Sequence, residues 1–358
     1  VMQGAAFLQI FALALFFLSM FIIDDVLSHF MKSPEVYAAT ESYLSWRIYG
    51  FFFAAINVMF RAFYVGIAKT KVLTFNAIAM AVTNIIGDYL LIFGNFGCPE
   101  LGIAGAAIAS VLSEIVSVLF FVIYTIATVD FKKYGFVKMK FKFSIIKNIL
   151  NISSFTMVQY LISMSTWFIF FAAMEQHSED SLKITNLVRS FYMIYFIPMN
   201  ALATTANTLV SNTIGMGHTK NVLPLIKKIA LLNLGLILCL IAITLIAPRF
   251  WISFIAPQDQ LSLIDETVVP LIVLLFSLPI SALGTVTFSS ISGTGNTKAA
   301  LILEVIVMLI YVFAMFWIVI YKQMSVAWCW TTEYFYWGPM FIFTTIYLTK
   351  AKWQNKRI

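Results

Sequence analysis

The sequence predicts an all-α polytopic membrane protein with about ten transmembrane helices in two pseudo-symmetric lobes. The chain of 358 residues is 61% hydrophobic and only 11% charged, whereas soluble domains are about 25% charged. Its apolar residues form ten runs, each longer than about eighteen residues and without the alternation of barrel strands. Two passages about 225 residues apart also share one pattern, which indicates an internal repeat.

Short connectors rich in charged residues, glycine or proline separate the ten runs, and we expect helices to end there. We predict transmembrane helices at residues 4–30, 37–60, 72–94, 101–127, 147–174, 184–213, 222–247, 265–290, 299–321 and 325–349. We therefore expect an incomplete N-terminal lobe of four helices at 1–129 and a basic cytoplasmic linker at 130–147. A C-terminal lobe of six helices with a short basic tail should occupy 148–358.

The connectors are strongly asymmetric in charge. When they are placed alternately on the two sides of a membrane, seventeen Lys and Arg residues fall on one side and four on the other. Basic connectors are retained in the cytoplasm, so both ends of this chain should be cytoplasmic in a multi-pass protein of the cell inner (plasma) membrane. The net charge of +7 reflects this orientation and does not indicate a nucleic acid partner. The linker at 130–147 either lies on the anionic membrane lipids or is simply solvated.

The repeated pattern occupies residues 30–71 and 254–298. Each copy begins at a proline-marked outer turn, continues through a helix that ends in phenylalanine, and closes at a glycine-containing inner turn on Thr-Lys. Both copies run from outside to inside, so the repeat is parallel, as in transporters with a cavity between two lobes. Two helices precede the second copy without a counterpart before Val1, so we expect a complete protein to have twelve helices.

One carboxyl group lies near the middle of the predicted helix at 72–94. Asn84 and Asp88 are four residues apart, which places them on one helical face. A carboxylate in hydrocarbon costs at least about 2.5 to 3.5 kcal/mol on insertion scales, so Asp88 needs a partner, a proton or a cation. Two interpretations remain open at this point, namely an ion-binding group and a carboxyl that hydrogen-bonds a neighbouring helix.

The sequence contains no pattern typical of an enzyme. Cys98, Cys239 and Cys329 lie far apart and lack the spacing of metal ligands. Nucleophile, zinc-protease and phosphate-loop motifs are missing in any usable context. We therefore expect neither an enzyme nor a protein with a resident cofactor.

Four stretches resemble the multidrug and toxic compound extrusion (MATE) transporters. They read RAFYVGIAKTK at 61–71, NIIGDYLLIFG at 84–94, LGIAGAAIAS at 101–110 and LVSNTIGMG at 209–217. The resemblance covers essentially the whole chain from the third helix of the family onward. It therefore implies a twelve-helix MATE-like fold from which this chain lacks the first two transmembrane helices.

The resemblance also implies a function. Family members are secondary antiporters that couple entry of Na⁺ or H⁺ to export of organic, often cationic, compounds. In some members an Asn and an Asp on the fifth helix bind the coupling ion, and these positions match Asn84 and Asp88, which would be the metal ligands under Na⁺ coupling. A hydroxyl on the sixth helix can contribute, and Ser110 is the nearest match. No cofactor beyond the coupling ion is implied, and we expect a monomer that binds small organic cations.

Further polar groups within the helices are candidates for the substrate cavity. Glu114 follows Ser110 by four residues and shares its face, although it could instead be a carboxyl hydrogen-bonded between helices. Gln159 and Asn186 are further candidates. Glu304 lies one turn into the helix at 299–321, where we expect it to pair with Lys298 or water, with a cavity role as the alternative.

Two alternatives to a cation-coupled exporter stay open. A lipid-linked oligosaccharide flippase of the same superfamily needs a larger, often basic cavity, whereas Asp88 and Glu114 are acidic and favour cationic cargo. A non-transporting truncated remnant would follow if the two helices, one of which carries an acidic site residue in the family, were absent. In that case the chain as given should not transport.

The charge asymmetry predicts the accessibility of single cysteines introduced into a variant without the three native ones. Lys220→Cys should react with a membrane-impermeant maleimide only after the cells are permeabilised, because the positive-inside rule keeps Lys220 in the cytoplasm. Arg249→Cys should react in intact cells. The opposite labelling pattern would contradict the predicted orientation.

Overall fold

The computed structural model describes residues 2–30, 34–67, 69–130, 143–351 and Trp353. Within these ranges the chain is helical apart from short connectors, and it contains no β-strand, so the all-α prediction is confirmed. The α-helices are α1 Met2–Phe30, α2 Pro34–Arg47, α3 Gly50–Gly66, α4 Lys71–Leu91, α5 Ile103–Thr128, α6 Phe143–His177, α7 Glu179–Gly215, α8 Val222–Ile246, α9 Pro248–Ile255, α10 Ile264–Gly293, α11 Thr297–Met315, α12 Val326–Cys329 and α13 Thr332–Lys350.

The number of membrane spans depends on how polar helices are treated. Seven helical stretches of the described residues are long and apolar enough to cross a membrane, or eight if the pair α2 and α3, bent by 53°, forms one span. The long helices α7 and α13 occupy the two remaining predicted segments, but they are more polar than the others. The chain is therefore a multi-pass membrane protein, and the sequence count of about ten exceeds the span count because of these two helices.

The chain divides into two compact units, Val1–Asn148 and Ile149–Ile358. The first unit contains α1 to α5, and the second contains most of α6 and all of α7 to α13. Most of the predicted basic linker, residues 131–142, lies outside the described residues. Its interaction with the membrane surface stays a prediction.

In the first unit, α4 and α5 pack closely because glycines meet small groups along the contact. A Cβ atom added at Gly87 would lie 2.8 Å from the Ala109 Cβ, and one added at Gly105 would lie 2.4 Å from the Leu91 carbonyl oxygen. Such small residues allow helix backbones to approach one another in membranes. The connection between the helices uses Gly94 at φ +66°, a left-handed conformation that glycine adopts without steric cost.

In the second unit, α10 packs against α7, α8 and α13. Four of its leucines, Leu271, Leu274, Leu275 and Leu278, are fully buried. On α8, the buried Asn233 side-chain amide donates a hydrogen bond of 2.8 Å to the Ala282 carbonyl of α10. This central helix therefore has both apolar and polar contacts with its neighbours, so it determines how the second unit packs.

Two Gly→Ala substitutions should have opposite effects on stability, because of the two glycines only Gly105 lies in the close α4–α5 contact. Gly105→Ala should lower the stability by about 1 to 3 kcal/mol because the added methyl group overpacks the helix contact. Gly235→Ala in α8 meets no atom within 4 Å and should raise it by roughly 0.5 to 1 kcal/mol, since alanine favours helix over glycine. Thermal unfolding of the purified protein in detergent measures both changes. A stabilising Gly105→Ala would show that the helices do not meet as described.

Candidate ion-binding site

The structure brings two of the predicted site residues together in the first unit. Asn84 and Asp88 lie one turn apart on α4, and Ser110 lies on α5. The Asn84 amide Nδ2 donates to the Ser110 hydroxyl oxygen at 3.5 Å, which is long for a hydrogen bond. All three residues are half-buried. Carboxylate, amide and hydroxyl oxygens of this kind are ligands that hard cations prefer.

Asp88 is the least satisfied member of this group. Its Oδ1 atom is buried and accepts no hydrogen bond from the residues that the structure describes. Within the same ranges, no Lys, Arg or His forms an ion pair with it. A buried polar atom without a partner is destabilising, so the carboxyl group retains the capacity to bind a proton or a cation.

The tight helix contact explains the position of these groups. Gly87 precedes Asp88 in sequence, and Ala109, which Gly87 approaches, precedes Ser110. One of the close contacts between α4 and α5 is therefore adjacent to the site. Gly87 and Ala109 cannot separate without loosening the packing of α4 against α5. Their contact therefore constrains the distance between Asn84 and Ser110.

Glu114, a predicted cavity residue, forms an ion pair with Arg47 of α2. The Arg47 guanidinium donates to both carboxylate oxygens, with Nη2 at 2.7 Å from Oε1 and Nη1 at 3.2 Å from Oε2. A Cβ atom at Gly50 would lie 2.0 Å from the Arg47 Nη1, so a larger residue there would displace the guanidinium. This pairing favours the alternative in which Glu114 joins helices.

A chain of amides and hydroxyls extends from this ion pair. The Asn57 amide donates to the Glu114 carbonyl at 3.2 Å, and the Ser117 hydroxyl donates to Asn57 Oδ1 at 2.7 Å. The Asn76 amide then donates to the Ser117 hydroxyl at 2.8 Å. Sequence reasoning missed Asn57 and Asn76, although each is a carboxamide within an apolar run.

In the described part of the chain, no hydrogen bond joins the other two predicted cavity residues. Gln159 lies on α6 and is half-buried, and its Oε1 has no hydrogen-bond partner in the described part of the chain. Asn186 lies on α7, where its carbonyl accepts a bond of 3.0 Å from the Ser190 hydroxyl. Their contribution to a cavity stays a prediction.

Of the two partners expected for Glu304, Lys298 and water, Lys298 is wrong. Lys298 is exposed, and the Glu304 carboxyl instead accepts hydrogen bonds from Ser163 and Tyr336. A second buried carboxyl, Glu333 near the start of α13, was missed. The signal that could have found it is an acidic residue four positions before Trp337, on the same helical face.

Comparison with known proteins identifies the class and the family. The fold is that of a polytopic membrane transporter. A family model described as MatE matches residues 1–90 and 154–318, which is more than half of the chain. The chain belongs to the MatE family. Its relatives are transporters, so the expectation that it is not an enzyme is confirmed.

The curated relatives are longer than this chain. A probable multidrug resistance protein NorM of Thermotoga maritima is 27% identical over 303 residues, which are 79% of this chain and 61% of that protein. A protein of the same description from Agrobacterium fabrum is 31% identical over 111 residues, 31% of this chain and 24% of the relative. The chain therefore spans less than two thirds of the length of these relatives.

Solved structures share the fold at low sequence identity. An outward-facing multidrug resistance MATE family transporter of the MOP superfamily has a TM-score of 0.85 at 15% identity, covering 99% of this chain and 78% of that chain. A MOP superfamily transporter from Pyrococcus furiosus has a TM-score of 0.84 at 16% identity, with the same coverage of 99% and 78%. At these identities the likeness establishes the fold alone.

Removing one partner of the Arg47–Glu114 ion pair should lower the stability more than removing one partner of a surface ion pair. The two side chains are 32% and 11% exposed, whereas those of Arg249 and Asp265, 2.8 Å apart, are 74% and 76% exposed. Arg47→Met should lower the stability by roughly 2 to 4 kcal/mol, because it leaves a buried carboxylate unpaired. Arg249→Met should cost at most about 1 kcal/mol.

Thermal unfolding in detergent measures both variants. The double variant Arg47→Met/Glu114→Gln should recover part of the loss, since it removes both charges together. Equal effects of Arg47→Met and Arg249→Met would mean that the pair on α2 and α5 is as weak as the surface pair.

Proposed function

We propose that this protein is a cation-coupled antiporter that exports organic cations by alternating access, with Na⁺ or H⁺ as the coupling ion. The observation that supports this proposal most directly is the buried Asp88 Oδ1, which has no partner in the described residues. An intramembrane carboxyl of this kind is functional by default. Membership of the MatE family supplies the transport context.

The proposed ion site consists of Asp88, Asn84 and Ser110. Asp88 supplies the charge, and the Asn84 and Ser110 oxygens supply neutral ligands. The 3.5 Å separation of the Asn84 amide from the Ser110 hydroxyl is loose enough for these groups to turn toward a cation. Ion binding can favour one conformation only if the ion binds that conformation better, so Asp88 should differ in accessibility between the states.

The proposed cargo consists of small organic cations. Relatives of this chain are described as probable multidrug resistance proteins, and we extend that role to this protein. Because Arg47 neutralises Glu114, the preference for cationic cargo depends on Asp88 more than on Glu114. Gln159 and Asn186 remain proposed cavity residues, since each carries an amide within a spanning region.

The proposed setting is the cell inner (plasma) membrane, with both ends of this chain in the cytoplasm and a monomer as the transporting form. The lobes at 1–129 and 148–358 would be the two halves that alternate. This orientation is supported by the seventeen-to-four division of the basic residues. Besides its cargo, the protein would need only membrane lipids as partners.

Asp88→Asn tests the coupling role. It keeps the size of the side chain but removes the charge, so ion-driven efflux of a fluorescent organic cation from membrane vesicles should fall about tenfold or more, which corresponds to a loss of about 1.4 kcal/mol. Asp265→Asn is the matched control, because the Asp265 carboxylate is 76% exposed. The control should transport at the rate of the unmodified protein.

Two results would contradict the proposal. One is an Asp88→Asn variant that keeps both ion binding and ion-dependent efflux. The other is a protein that leaves the drug sensitivity of a host strain unchanged but restores a strain deficient in a lipid-linked oligosaccharide flippase, which would favour the flippase alternative.

A further inference from the structure

Two carboxyl groups lie inside the second unit without a cationic partner. Glu304 on α11 is 0% exposed, and Glu333 on α13 is 6% exposed. In the described part of the chain, neither forms an ion pair with Lys, Arg or His. A charged carboxylate within a membrane protein requires a bound proton, a cation or a paired base. These two groups therefore lack the counter-charge that Arg47 supplies to Glu114.

The hydrogen bonds of Glu304 are unevenly divided between its two oxygens. Oε1 accepts from the Ser163 hydroxyl at 2.8 Å and from the Tyr336 hydroxyl at 2.7 Å. Oε2 is buried and has no partner among the described residues. A neutral carboxyl group has one carbonyl oxygen that accepts and one hydroxyl oxygen that carries the proton. The geometry fits that arrangement, with Oε1 as the carbonyl oxygen and Oε2 as the protonated one.

The polar groups on α13 and α7 near Tyr336, which donates to Glu304, are uncharged donors or a second acid. Tyr336 and Glu333 lie on α13, and Tyr192 lies on α7. The Trp337 indole Nε1 lies 3.2 Å from Glu333 Oε2 and 3.3 Å from the Tyr192 hydroxyl. These contacts supply hydrogen bonds but no positive charge, so they do not replace a proton or a cation.

The remaining neighbouring helices do not supply a base either. Tyr311 of α11 has its ring centroid 5.9 Å from that of Tyr336. The titratable groups of α10 are Asp265 and Glu266, both exposed in its first turn. On α6, which carries Ser163, the nearest titratable residue in sequence is the exposed Tyr160. Among the described residues, the buried Glu304 carboxyl group therefore has only hydroxyl groups as hydrogen-bond partners.

We propose that the second unit contains a proton-binding site at Glu304, with Ser163 and Tyr336 as positioning residues. Burial of Oε2 favours the neutral acid, and the two hydroxyl donors on Oε1 are already placed to stabilise the anion after the proton leaves. Such opposing influences suit a group that takes up and releases a proton. This inference deepens the proposed function, on which its role in transport rests, because it adds a second ionisable site to that of Asp88.

Infrared difference spectroscopy of the protein in lipid, recorded as the pH is changed, tests the site without transport. The carbonyl stretch of a protonated carboxyl group should be present in the unmodified protein and lost in Glu304→Gln. It should persist in Asp88→Asn and in the matched control Glu266→Gln, whose native side chain is exposed. A spectrum in which no carbonyl band is lost in Glu304→Gln would overturn the proposal.

Tyr336→Phe provides a test that does not alter the carboxyl group itself. Removing one donor from Oε1 should shift the carbonyl stretch to higher frequency, and Ser163→Ala should shift it in the same direction. An unmoved band in both variants would show that it does not arise from Glu304. Loss of the band on addition of NaCl but not KCl at constant pH would also overturn the proposal, because Glu304 would then hold sodium.

These outcomes are distinguishable from failure of the proposed function. Retained ion-dependent efflux in Asp88→Asn would contradict the role of Asp88 but would leave the Glu304 band in place. If the carbonyl band did not arise from Glu304, the effect of Asp88→Asn on efflux would be unchanged.

Discussion

A polar group inside a membrane-spanning helix has no bulk water to solvate it, so its stability depends on a partner within the protein. The carboxyl groups described here meet this constraint differently. Glu114 has the Arg47 guanidinium, and Glu304 has two hydroxyl donors on a single oxygen. Asp88 has a buried oxygen without a partner among the described residues. The proposed chemistry lies at Asp88 and Glu304, neither of which forms an ion pair within the described residues.

Close packing of small residues makes these arrangements possible. Gly50 leaves the space that the Arg47 guanidinium occupies beside Glu114, and Gly87 allows α4 to approach Ala109 of α5. Helix association in lipid depends on such contacts, because apolar side chains contact lipid as favourably as they contact another helix. The same glycines therefore contribute to stability and position the polar side chains.

Much of the fold could be predicted from composition and spacing. Long apolar runs require helices in a membrane, because a helix satisfies its own backbone hydrogen bonds. The four-residue separation of Asn84 and Asp88 was sufficient to place both on one helical face. The partner of Glu114 could not be predicted, since Arg47 is 67 positions away and periodicity carries no information about contacts between distant helices. The wrong partner for Glu304 has the same cause, because Ser163 lies 141 positions from it.

The sequence by itself determined the helical class, the membrane setting and the presence of a carboxyl group in α4, because these follow from hydrophobicity and the period of one helix. Only the tertiary structure decided which carboxyl groups are neutralised. That outcome depends on which helices pack together: Arg47 of α2 and Glu114 of α5 are 2.7 Å apart, beside Gly50 of α3. Asp88 was conspicuous in the sequence, but only the packing around it showed that its buried Oδ1 accepts no hydrogen bond from the described residues.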